Sequence, residues 1–176
     1  MKYRASSKAK PECYKKCVKG DGGNFKVWGC FSANGLGSLH IIYDTLTGAK
    51  YKEILEEHLF KDANKMQIED DYYFQHDNDP KHTSKIVKNW LAEKEVQTIH
   101  WPSCSPDLNP IDNMWSILKN KISERSPINN IESLKTIAQE EWLKLNEDKE
   151  LLRNLSNSMP NRIDALKKVK GGHTGY

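Results

Sequence analysis

Long apolar runs are what this chain lacks most plainly. No stretch of its 176 residues approaches the ~18 consecutive apolar residues needed to cross a bilayer. The first eight residues, Met1 to Lys8, are basic but carry no apolar segment, which excludes a secretory signal and leads us to expect an intracellular protein. Cysteine is scarce, with Cys13, Cys17, Cys30 and Cys104 only. Their spacing fits no zinc-ligand pattern, no histidine pair completes one, and we expect reduced thiols. An excess of one charge is also missing: the net charge is +3. Hydrophobic residues make up 37% and charged residues 29%, which excludes a disordered chain and describes one globular domain.

The charge is unevenly placed. Residues 1–26 hold eight Lys/Arg against two acids, and residues 160–176 hold four against one. Basic ends around an acidic centre suit a polyanion gripped at the edges of a metal-binding site, or an ordinary solvated surface with a basic tail.

Residues 1–24 are Lys-rich and interrupted by Pro11, Gly20, Gly22 and Gly23, and read as an irregular basic entry segment. From residue 25 the pattern becomes regular. Phe25 to Phe31 and Leu39 to Tyr43 are strand-like and flank the turn dipeptide Asn34-Gly35, so an antiparallel hairpin is expected. Tyr51, Ile54, Leu55, His58 and Leu59 recur at helical spacing, and a polar loop is expected over 61–71. Two short strands, Tyr72–His76 and Val96–His100, flank a helix over 84–95 with the stripe Ile86, Val87, Trp90 and Leu91. Asn109-Pro110 predicts a helix start, with Ile111, Trp115, Leu118 and Ile122 facing the core. Further helices are expected near 131–145 and 160–169. This alternation indicates an α/β fold with a mixed sheet.

Two carboxylates stand where such folds expose functional groups. Asp77 follows a strand, and Asp112 lies in the first turn of a helix. A strand–helix–strand crossover between them returns the chain beside its start, so both can face one cleft. There they would hold Mg²⁺ or Mn²⁺, hard cations that prefer oxygen. The same residues also suit plainer roles, Asp77 in a turn and Asp112 on a helix dipole. His82 reads as a loop hydrogen-bonding residue, and Trp101 and Trp115 as core.

Three segments carry a resemblance. Gln75-His76-Asp77-Asn78-Asp79-Pro80-Lys81-His82-Thr83-Ser84 is similar to the second catalytic segment of the Tc/mariner transposases. The stretch Trp101 to Trp115, containing Ser105-Pro106-Asp107-Leu108-Asn109-Pro110-Ile111-Asp112, resembles the third. Val27 to Gly35 resembles the hairpin between the first and second. The likeness runs from about Lys10 to Tyr176.

The resemblance implies an RNase H-like mixed sheet flanked by helices, with a catalytic domain over 25–176. It implies metal-dependent cleavage of DNA at transposon ends and strand transfer into a target, with two Mg²⁺ or Mn²⁺ ions. Asp77 and Asp112 match the second and third members of its Asp, Asp, Glu/Asp triad. DNA as partner, a homodimer, a nuclear location and no membrane association follow in the same way. Asp112 stands where many relatives have Glu. The family's first Asp lies on a central strand upstream of Tyr3, so the resemblance makes this domain incomplete at its N-terminus, marginal in stability and catalytically impaired. The alternative is a non-catalytic DNA-binding remnant that uses Lys2–Lys26 and Arg162–Lys170.

Overall fold

Two segments of alternating aromatic, branched and small residues build the sheet. The computed structural model describes residues 18–20, 23–68, 72–102, 105–125 and 127–169. Strands β2 (Gly23–Phe31) and β3 (Leu36–Ile42) pair antiparallel, with Trp28 opposite His40 and Val27 opposite Ile41. Their turn closes where the Ser32 N–H donates to the Gly35 carbonyl at 2.9 Å, at the expected Asn-Gly dipeptide. A short strand β1 (Val18–Gly20) pairs antiparallel with the start of β2. The strand pairing therefore begins inside the segment expected to be irregular. The glycines that suggested a break stand opposite one another, Gly20 across from Gly23. The rest of that entry segment, 1–17, lies outside the described residues.

The two strands expected at 72–76 and 96–100 shrink to one parallel bridge, Phe74 with Thr98. Phe74 donates to the Gln97 carbonyl at 2.8 Å, and Ile99 donates to the Phe74 carbonyl at 3.3 Å. A ladder needs successive paired residues. Among the described residues neither segment has a second neighbour, and no strand lies between Phe74 and β2.

Helix α1 (Gly48–Lys65) starts at Thr47, whose hydroxyl accepts from the Lys50 N–H. It runs into the loop expected at 61–71 because Asp62 and Ala63 are buried. Asp62 accepts from the Ser38 N–H at 2.9 Å and the Ser38 hydroxyl at 2.8 Å, which ties α1 to β3. Helix α2 (Lys85–Glu93) buries Val87, Trp90 and Leu91 but leaves Ile86 exposed. Helices α3 (Ile111–Ser123), α4 (Ile131–Leu145), α5 (Lys149–Ser156) and α6 (Met159–Lys168) follow. Helix α5 was not expected; it is short, and Asp148 caps it by accepting from the Leu151 N–H at 2.9 Å.

Strand alternation divides the core. Val27, Phe31 and Ile41 pack with Met114, Leu118, Leu134 and Trp142 of α3 and α4. Trp28, Cys30 and Ile42 pack with Tyr51, Leu55, Val87 and Trp90 of α1 and α2. The sheet is thus covered on both faces. Gly29 lets the stacked indoles of Trp115 and Trp142 (centroids 5.1 Å apart) approach the sheet, since a Cβ there would lie 2.9 Å from Trp115.

Gly37 is more confined. A Cβ there would meet Cys30 Sγ at 2.5 Å and Asp62 Oδ2 at 2.6 Å. Gly37→Ala should destabilise the chain by roughly 1–3 kcal/mol, as overpacking does, and an added Cys30→Ala should recover part of the loss. Urea unfolding measures both; an unchanged midpoint in Gly37→Ala would contradict this packing.

Candidate active site

The segment after Phe74 turns sharply because its acids satisfy their own backbone. Asp77 Oδ1 accepts from the Asp79 N–H at 3.0 Å, and Asp79 Oδ1 accepts from the Lys81 N–H at 2.8 Å. The Thr83 hydroxyl donates to the Asp79 carbonyl at 3.1 Å, and the Ser84 hydroxyl to the Lys81 carbonyl at 3.0 Å. These bonds fold 77–84 into a tight approach to α2.

The same turn brings His82 back onto Asp77, with Nδ1 at 2.6 Å from Oδ1. The ring nitrogen donates to the carboxylate, and burial disfavours the charged form of the ring. Burial drives the His82 pKa down to about 3, against the opposing pull of Asp77. Tyr51 packs on His82 with centroids 3.9 Å apart, and His76 stacks against both, 5.5 Å from His82 and 6.1 Å from Tyr51. Burial also lowers the His76 pKa and pushes the Tyr51 phenol up. Asp77 is therefore held by a dry aromatic and imidazole wall.

Asp112 sits in the first turn of α3, where the helix dipole favours an anion. The helix starts one residue later than expected. Pro110 is the flanking residue, while Asn109 closes the preceding 3-10 turn (Pro106–Leu108) by donating to the Pro106 carbonyl at 2.9 Å.

Asp77 and Asp112 line one cavity of about 380 Å³ between the β2 strand, residues 72–77 and the start of α3. Two hydrogen bonds tie its walls together. Asn78 Nδ2 donates to the Trp101 carbonyl at 2.6 Å, and Gln75 Nε2 donates to Asn109 Oδ1 at 3.4 Å. Trp115 is half-buried, packing against the core as expected while also lining this cavity, and Trp101 is buried as expected.

Arg162 departs from its expected surface role. It is only 2% exposed, and its guanidinium donates to the Asp107 carbonyl, Asn113 Oδ1 and Ser158 Oγ at 2.8, 2.8 and 2.7 Å. It braces the loop before Asp112 against α6. Sequence reasoning missed this brace and the Tyr51–His82–His76 stack. The signal for the stack was the His82 spacing five residues after Asp77.

Residues 2–135 match the family model described as DDE superfamily endonuclease. The chain belongs to that family. Within it, the relatives and neighbours are of the Tc/mariner type. The chain is 36% identical over 170 residues to the Tcb1 transposase of Caenorhabditis briggsae, covering 97% of this chain and 61% of that one. It is 32% identical over 170 residues to the Tc1 transposase of Caenorhabditis elegans, again covering 97% and 61%. The chain thus spans about three-fifths of the length of these relatives. The solved catalytic domain of Mos1 mariner transposase superposes with a TM-score of 0.73 at 19% identity, covering 88% of this chain and 78% of that one. A Mos1 paired-end complex with left transposon end gives 0.75 at 20% identity, covering 98% and 49%. The fold of this DDE-family chain is therefore the RNase H-like mixed α/β fold expected from the sequence.

His82 sets a pH dependence. Its pKa lies below that of a free imidazole, so its contribution to stability is complete above about pH 6.5 and is lost as pH falls toward about 3. Urea midpoints should drop over that window, and His82→Gln should flatten the drop. A slope unchanged by the substitution would argue against a buried neutral His82.

Proposed function

We propose that this chain carries part of the catalytic site of a Tc/mariner-type transposase, cleaving DNA at transposon ends and joining them to a target. The supporting observation is the convergence of Asp77 and Asp112 on one cavity. Two aspartates there offer hard oxygen donors, which fits Mg²⁺ or Mn²⁺. Such an ion, when bound, activates water or a 3′-hydroxyl and stabilises the leaving oxygen. His82 and the Asp79 N–H both bond Asp77 Oδ1, fixing the carboxylate's rotation and turning it toward the cavity. The helix start presents Asp112 in the same cavity. Mos1 structures carrying Mn, Mg and transposon-end DNA support the choice of ion and partner.

The DNA reading extends to a homodimer acting in the nucleus, and to a catalytic domain over 25–176 behind the basic segment 1–24. We place catalysis by this chain alone at a low level. Among the described lining residues Asp77 and Asp112 are the only carboxylates, whereas the triad that the resemblance implies has a third member. DNA binding without cleavage is the second reading. Its support is the basic segment before β2 and the residues after α6 begins, without the buried Arg162. In either reading, no helix among the described residues is long and apolar enough to cross a membrane.

Mn²⁺ binding followed by electron paramagnetic resonance tests the site. Asp77→Ala and Asp112→Ala should each weaken it by about tenfold or more. Plasmid nicking with Mn²⁺ should not exceed that of Asp77→Ala. Unchanged affinity in both variants rejects the metal assignment, and nicking that depends on Asp77 rejects the impairment.

A further inference from the structure

A second cluster of ligating groups lies where β3 meets α1. His40 projects from β3, and Glu57 and His58 from α1. His40 Nδ1 is 2.8 Å from His58 Nε2, and Glu57 Oε1 is 3.7 Å from the same Nε2. One ligand atom from each residue fits within a 4.8 Å sphere of mutual separation. None of the three lines the Asp77–Asp112 cavity.

A hydrogen bond explains only part of this arrangement. One imidazole can donate to the other, but Glu57 then stands beyond hydrogen-bonding reach of the pair. A cation among the three would engage all of them. Tetrahedral bonds of about 2.0–2.1 Å to nitrogen and oxygen separate neighbouring ligand atoms by about 3.3 Å. The two separations at His58 Nε2 lie on either side of that value, and the third is no more than 4.8 Å. Two imidazoles and one carboxylate select the zinc class over Mg²⁺ or Ca²⁺, which favour all-oxygen shells. The ligands also arrive preset. Trp28 stacks on the His58 ring, with centroids 5.7 Å apart and planes at 24°, and holds its orientation.

We propose that His40, Glu57 and His58 form a binding site for a zinc-class divalent cation, distinct from the acidic cavity. The ion would clip β3 to α1 with three protein ligands and leave a fourth position for water or a partner's side chain.

Cobalt(II) reports such a site through its visible d–d absorption. The full chain should bind one equivalent of Co²⁺ in a form that gives tetrahedral-type bands, apart from any ion the acidic cavity takes up. Glu57→Gln and His40→Gln should weaken the binding that gives these bands by about tenfold or more, and Asp77→Asn should leave the bands and their titration unchanged. Glu57 is exposed, so its substitution remains informative even where a histidine variant fails to fold. Zn²⁺ should displace Co²⁺ and raise the melting temperature of the wild type but not of Glu57→Gln. Four results overturn the proposal: no cobalt uptake, bands that persist in Glu57→Gln, bands lost in Asp77→Asn, or thiolate-to-cobalt charge transfer that places the ion on cysteine.

Discussion

The acidic cavity depends on one parallel pairing. Phe74 and Thr98 are joined by α2, which carries the chain away from the sheet and returns it alongside. That return sets Trp101 and Asn109 beside the 75–82 loop. Without it, Asn78 could not reach the Trp101 carbonyl, nor Gln75 the side chain of Asn109. The pairing is small, a single bridge, so its position is supported by packing. Phe74 is buried in the cluster with Tyr51, Val87 and Trp90. Helices α1 and α2 thereby position the loop that contains Asp77 without contributing a carboxylate to the cavity.

The buried polar groups form a second level of order. Asp62 joins α1 to β3 through Ser38, and Arg162 joins α6 to the loop before Asp112. Each accounts for several otherwise lonely donors or acceptors in regions closed to water, where an unmade bond costs about 1–3 kcal/mol. Burial also pushes the Cys30 thiol well up, with Asp62 adding to the effect, and Cys30 packs against the cluster of Trp28 and Ile42. Asp62 and Arg162 thus serve architecture away from the cavity, which Lys26, Asp77 and Asp112 line.

Much of this was legible in the sequence. The β2–β3 hairpin followed from alternation and Asn34-Gly35, and α1, α3 and α4 from apolar spacing. The convergence of Asp77 and Asp112 followed from the crossover rule. What was not legible has physical causes. The 72–76 and 96–100 segments have strand composition, but strands exist only as pairs, and composition carries no information about neighbours. Helix α5 is eight residues long, too short for periodicity to distinguish it from a loop. Arg162 reads as a surface cation because nothing local announces that Asp107, Asn113 and Ser158 will surround it. Likewise His40 and His58 are separated by 18 residues and meet only because β3 and α1 pack together.

The Arg162 brace has a consequence for how the molecule responds to its own far end. Helix α6 is the last described element, yet its guanidinium grips the backbone five residues before Asp112. Arg162 ties this last helix to the loop that precedes α3, across the 55 residues that separate it from Asp107. The positions of α6 and of the loop before Asp112 are therefore not independent, since displacing either one leaves buried donors of Arg162 without their acceptors.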